Sequence, residues 1–223
     1  MNNKTKNIIK WILFAITAIL AIVIAINVKN GKILGLDLNI YKFFSENIIN
    51  DKLTPIVKVI THIGGAKIVF VLTLLAIILI KGLKNKLFLL TGVVGTAGIN
   101  VVLKHIIQRE RPNINRLIPE KGYSFPSGHS MMSMAFYGML IFLIFKYVKN
   151  TALKWTLIVI LTILLSTIGI TRIYLGVHYP SDVIGGFLVS LTYLFILTEI
   201  YNKVKKELDS IKSEISESLK TLN

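Results

Sequence analysis

The chain has 223 residues, 53% of them apolar, with 26 lysines and arginines against 11 acids for a formal charge of +15. One domain fits that length, and a mean hydropathy of +0.68 exceeds that of soluble domains, so a membrane protein is expected. The absence of cysteine excludes disulfides, thiolate nucleophiles and cysteine zinc sites, while the basic excess leaves nucleic acid or membrane topology to be decided by where the charges lie.

Lys4, Lys6 and Lys10 precede an uncharged run from Trp11 to Val28 that is too long for a signal peptide and ends in no small-residue cleavage site. A retained signal anchor is expected, since a bilayer core takes about 20 apolar residues in a helix. From Lys29 to Lys58 the sequence is mixed, with Leu38, Tyr41, Phe44, Ile48 and Ile49 at helical spacing beside Lys42, Glu46 and Asn47. That pattern predicts an interfacial amphipathic helix that covers the membrane domain or admits lipid to it.

The second apolar run, Ile68 to Ile80, is short unless it begins near Ile63 with Gly64, Gly65 and Lys67 in the same helix and Lys67 snorkelling to the interface. Leu87–Leu103, Ser130–Phe145, Trp155–Thr171 and Val183–Thr198 follow. The predicted fold is all-α: a polytopic membrane bundle of six transmembrane helices over residues 1–199, then an amphipathic tail helix over 200–223. In that tail Ile200, Val204, Leu208, Ile211, Ile215 and Leu222 recur at helical steps, over fewer heptads than a coiled coil needs.

Six spans place both termini on one side. Lys81, Lys84 and Lys86 form one acid-free loop and Lys146, Lys149 and Lys154 another, both on the side of the basic N-terminus and the lysine-rich tail, so that side is expected to be cytoplasmic. Topology thus accounts for most of the charge, and nucleic acid is not an expected partner. Lys104, Arg109, Arg111, Arg116, Lys121 and Arg172 fall on the external face, against the rule, and call for a functional cause.

Three segments meet on that face: Lys104–Pro112, Ser124–Ser130 and Thr171–Asp182. Lys104 and Arg111, seven residues apart, would share one side of a helix that continues to Pro112. Pro126 suits a first helical turn, after which Ser127, Gly128 and His129 would present free N–H groups at the positive end of a helix dipole, an anion site. His129 is placed to share a proton with a bound oxygen. Asp182 can accept the Nδ1 proton of His178 and leave Nε2 as a nucleophile. The cations Lys104, Arg111 and Arg172 would repel a divalent metal and stabilise a phosphoryl group, so an anion centre is favoured over a metal centre.

These segments resemble the signature of the type 2 phosphatidic acid phosphatase family: Lys-x6-Arg-Pro, Pro-Ser-Gly-His and Ser-Arg-x5-His-x3-Asp. The chain carries Lys104, Arg111 and Pro112, then Pro126, Ser127, Gly128 and His129, then Arg172, His178 and Asp182, with Thr171 where the family usually has serine. The resemblance implies that His178 attacks phosphorus to form a phosphohistidine, that Asp182 orients it, and that His129 protonates the leaving oxygen. It further implies that Lys104, Arg111, Ser127, Gly128 and Arg172 bind the phosphate, with no metal or other cofactor. Undecaprenyl diphosphate, phosphatidylglycerol phosphate and phosphatidic acid are the substrates it suggests, at the external face of the cell membrane. A lipid phosphotransferase would use the same residues, and a lipid or anion transporter would also need intramembrane charge, but at the midplane. His62 and His105 are expected to be helix-end hydrogen bonders, Gly185 and Gly186 sites of close helix packing, and Arg109, Glu110 and Arg116 interfacial or head-group contacts.

Overall fold

The computed structural model describes residues 2–32, 34–113 and 115–221, which form eight helices and no strand. In chain order they are α1 (Asn3–Lys29), α2 (Leu34–Asn47), α3 (Leu53–His62), α4 (Ala66–Leu79), α5 (Leu83–Ile107), α6 (Gly128–Tyr147), α7 (Thr151–Tyr174) and α8 (Pro180–Thr221). Asn2 and Asn150 cap α1 and α7, each accepting a bond from an amide of the first turn. Five helices are long and apolar enough to cross a membrane alone, and the pair α3 and α4, bent by 51° at their junction, makes a sixth.

Inside a bilayer lipid tails are as apolar as leucine, so helix association depends on close packing rather than on escape from water. α6 sits at the centre, with α4, α5, α7 and α8 around it and Met132, Ala135, Met139, Val93 and Ile168 sealed between them. Small residues permit the approach: a side chain at Gly138 would strike Leu194, and one at Gly169 would strike Phe187 and Val183. Gly185 and Gly186 also pack closely, against Phe125 and against the Ser127 carbonyl. α1 lies outside this cluster along α8, and at its far end Lys29 Nζ donates to the Ile106 carbonyl at 3.2 Å.

Three sequence expectations change. The second span does not begin as one helix near Ile63. α3 ends at His62 and α4 restarts at Ala66 after Gly65 caps it in an extended conformation, and a side chain at Gly64 would collide with Ile168 and Ser133. Lys104 and Arg111 do not share a helix face, because Gln108 adopts a left-handed conformation (φ 54°) that ends α5 before Pro112 is reached. Pro126 lies just outside α6, where Ser127 is the cap. The tail continues α8 without a break at residue 199. Tyr201 packs against Phe88 and Phe142 (centroids 4.9 and 5.4 Å) and donates to Asn85 Oδ1 at 2.6 Å. Ile211 and Ile215 are exposed, and Leu222 lies outside the described residues.

Candidate active site

At one end of the bundle α5 and α7 finish, α6 and α8 begin, and α3 bends into α4. The loop over residues 108–127 folds across this end. It is fastened by Leu117 N–H to the Leu175 carbonyl (3.1 Å) and by Tyr41 Oη to the Asn115 carbonyl (3.1 Å). Gly176 (φ 68°) must be glycine here, because a side chain would lie 2.7 Å from both the Asn115 carbonyl and Tyr41 Oη.

His178 follows that turn and is 2% exposed. Its Nε2 lies 3.1 Å from Arg111 Nη1, which can only donate, so Nε2 accepts and the ring proton is on Nδ1, facing Asp182 Oδ2 at 3.5 Å. Burial above all lowers the His178 pKa to about 4; Asp182 works in the other direction and the neighbouring arginines reinforce the fall. The imidazole is therefore neutral at pH 7, with a lone pair on the atom that points away from Asp182.

Asp182, in the first turn of α8, is held from all sides. Oδ1 accepts from Arg109 Nη1 at 2.7 Å, while Oδ2 accepts from the Tyr179 N–H at 2.8 Å and from the Ser124 hydroxyl. Arg109 also bonds Ser181 Oγ (2.7 Å) and pairs with Asp37 of α2 (2.5 Å), its guanidinium stacked 4.0 Å over the Tyr179 ring. Asp37 in turn accepts from Ser181 N–H and Oγ. Burial opposes the charge of Arg109, but Asp182 and Asp37 outweigh it and raise its pKa. Arg109 is thus a buried partner of the site, rather than the interfacial contact expected from sequence.

Arg111 and Arg172 converge on a carboxylate. Arg172, 1% exposed, donates Nη2 to Glu120 Oε2 at 2.7 Å and Nη1 to Thr61 Oγ1 at 2.8 Å, and its buried Nε has no hydrogen-bond partner. Arg111 Nη2 lies 3.9 Å from Glu120 Oε1 and donates to the Lys121 carbonyl, while Nε and Nη1 donate to the carbonyls of Gly122 and Val177. Burial lowers the Arg111 pKa and Arg172 adds to this, while Glu120 supports the charge. Glu120 is the anion between the two guanidiniums, and one of these, Arg111, also contacts Nε2 of His178.

Lys104 Nζ donates to the carbonyls of Tyr123 and Ser124, tying α5 to the loop that supplies Glu120. Ser127 directs its hydroxyl into the helix it caps, accepting from Ser130 N–H (3.4 Å) and Oγ (3.0 Å), and its own N–H donates to the Asp182 carbonyl at 3.0 Å. The amides of Gly128 and His129 lead α6 with no acceptor in their own helix. His129 is half-buried and lines a cleft of about 350 Å³ with Arg172, Glu120, Thr61, Lys58 and His62. His105 bonds the Val101 carbonyl at 2.8 Å, Thr171 bonds the Ile168 carbonyl at 2.6 Å, and Arg116 holds the carbonyls of Pro112 and Arg111. Sequence reasoning missed Asp37, Thr61, Glu120, Ser124 and Ser181. Of these only Glu120 carried a signal, as one of two acids, with Glu110, in a loop that holds Arg109, Arg111, Arg116 and Lys121.

Residues 85–206 match the PAP2 superfamily. Phosphatidylglycerophosphatase B of Bacillus subtilis (strain 168) is 35% identical over 155 residues, covering 66% of this chain and 74% of the relative. Undecaprenyl-diphosphatase BcrC of the same bacterium is 28% identical over 156 residues, covering 66% and 75%. A solved structure, the transmembrane PAP2 type phosphatidylglycerolphosphate phosphatase from Bacillus subtilis, is similar with a TM-score of 0.79, 26% identity and coverage of 86% of this chain and 96% of its own. The family match takes in more than half of the chain and all three motif segments, so the protein belongs to the PAP2 superfamily and is a multi-pass membrane lipid phosphatase, a phosphoric ester hydrolase.

Proposed function

We propose that the protein removes the terminal phosphate of a lipid diphosphate or lipid phosphate through a phosphohistidine at His178, with undecaprenyl diphosphate, phosphatidylglycerol phosphate and phosphatidic acid as candidate substrates. The observation that carries this reading is the neutral, buried His178, whose Nε2 lies 3.1 Å from Arg111 beside an anion held by two guanidiniums. A phosphoryl group taking the place of Glu120 draws Arg111 off Nε2 and frees the lone pair. The N–P bond forms as the P–O bond to the leaving group breaks, and the leaving oxygen takes its proton from His129. Water then attacks phosphorus, His129 accepts a proton from that water, and the N–P electron pair returns to Nε2. Lys104, Arg111, Arg172 and the amides of Gly128 and His129 stabilise the phosphoryl oxygens, so the charge of a metal ion is not called for. Ser127 shapes the start of α6, and Asp182 orients His178.

The acid-free lysine loops support a topology with both termini in the cytoplasm and this site at the external face. The test is phosphate release from the three lipids in detergent, with and without a chelator, for the wild type, His178→Ala and His129→Ala. Both variants should lose activity and the chelator should have no effect. Full activity of His178→Ala would refute the nucleophile, and activity lost to chelator and restored by a divalent ion would refute the metal-free mechanism.

A further inference from the structure

The cleft that holds His129 has a cationic wall the phosphohistidine mechanism does not use. Lys58, Thr61 and His62 stand at i, i+3 and i+4 on α3 and so share one face, and all three line the cleft with Glu120, His129 and Arg172. Thr61 is fastened to Arg172 at 2.8 Å, which fixes this face against the phosphate-binding arginine. The bend after α3 keeps it there. The Gly65 N–H donates to the His62 carbonyl at 3.0 Å, and Gly65 is so close to His129 that a side chain added there would lie 3.5 Å from Nε2. Among the described residues, the side chains of Lys58 and His62 form no hydrogen bond or ion pair, whereas Lys104, Arg111 and Arg172 are all engaged.

We propose that Lys58 and His62 form a subsite for the second phosphate of a lipid diphosphate, the phosphate that departs with the lipid. This rests on the phosphohistidine reading above. In-line attack by His178 puts the leaving oxygen on the far side of phosphorus, at His129, and in a diphosphate the next group beyond that oxygen is the remaining phosphate. The Lys58 ammonium and an N–H of the His62 ring, neither with another partner, then face a group carrying negative charge. In a monoester the same position holds an uncharged carbon chain, which gains nothing from them. The subsite therefore selects lipid diphosphates over lipid monophosphates, and Lys58 and His62 are its specificity-determining residues.

The test compares farnesyl diphosphate with farnesyl monophosphate, equal chains in detergent, using the full-length wild type and Lys58→Ala, His62→Ala and the double variant. The wild type should favour the diphosphate. The ratio of kcat/KM for diphosphate over monophosphate should fall about tenfold or more in the double variant, the scale of a lost charge-assisted hydrogen bond, and Lys58→Arg should restore part of it. As a second measurement, inorganic pyrophosphate should inhibit monophosphate turnover more strongly than orthophosphate in the wild type and equally in the double variant. A ratio unchanged within twofold, a wild type that prefers the monophosphate, or a double variant inactive on both substrates would each overturn the subsite. A wild type inactive on both substrates, or a fully active His178→Ala, would instead overturn the phosphatase mechanism itself.

Discussion

Two carboxylates serve the site, Asp182 beside His178 and Glu120 between Arg111 and Arg172, and their settings differ. Asp182 has a fully buried side chain and accepts from Arg109, Ser124 and the Tyr179 amide. Glu120 has a side chain 30% exposed and lies at the edge of an open cleft, paired with Arg172 and near Arg111. A buried charge with every lone pair satisfied has nowhere better to go, so it is a permanent part of the scaffold. A partly exposed carboxylate can exchange its arginine for water at small cost, so it can yield its place to a substrate anion. The orienting side of the site is thus fixed and the anion-binding side is exchangeable.

The strongest way to break this contrast is Asp182→Ala. It should lower kcat on the order of 10⁴-fold, the size of effect seen when the carboxylate behind a catalytic histidine is altered, measured as phosphate release at saturating lipid. Arg109→Ala should follow, because it leaves Asp37 and Asp182 as buried unpaired charges. A loss of about 3–5 kcal/mol is expected, read as a fall in Tm in detergent, with partial recovery in Arg109→Lys.

Glu120→Gln sharpens the comparison through the sign of its effect. If Glu120 holds the place of the substrate phosphate, removing its charge should tighten inhibition by orthophosphate by roughly tenfold, the worth of one anion competing for the same guanidiniums. Weaker inhibition in Glu120→Gln would show that Glu120 positions the arginines instead, and the contrast with Asp182 would fail.

The smallest effect near neutrality is that of pH. His178 is lowered from 6.5 to about 4, so it is neutral at pH 7; if it is the nucleophile, the acid limb of kcat/KM should fall as pH drops through about 4. The sign for stability is the same. Between 6.5 and about 4 the unfolded chain binds a proton at this histidine that the folded chain does not, so this contribution is present above 6.5 and is lost progressively as pH falls to about 4. An acid limb unmoved in Asp182→Asn would argue against His178 as its source.

How much of this was legible follows from the range of the interactions. The six hydrophobic runs could be read because a membrane span is a local property of about 20 residues. The second run coincides with α4, but the break before it could not be read, because the bend depends on Gly64 meeting Ile168 and Ser133, more than 60 residues away. His178 and Asp182, four residues apart, could be paired from their spacing, but the pairing of Arg109 with Asp37 spans 72 positions and left no periodic trace. Glu120 was visible only as one of two acids in a basic loop, with nothing to separate it from Glu110.

By itself, the sequence determined the membrane class, the helical architecture and the residue types able to handle a phosphoryl group, because span length, charge asymmetry and fixed motif spacing are all written along one stretch of chain. Only the tertiary structure decided that Lys104 and Arg111 lie on different elements, that Arg109 is buried against two carboxylates, and that Glu120 lies between Arg111 and Arg172. These are outcomes of which distant polar groups satisfy one another once water is excluded, and no local pattern encodes them.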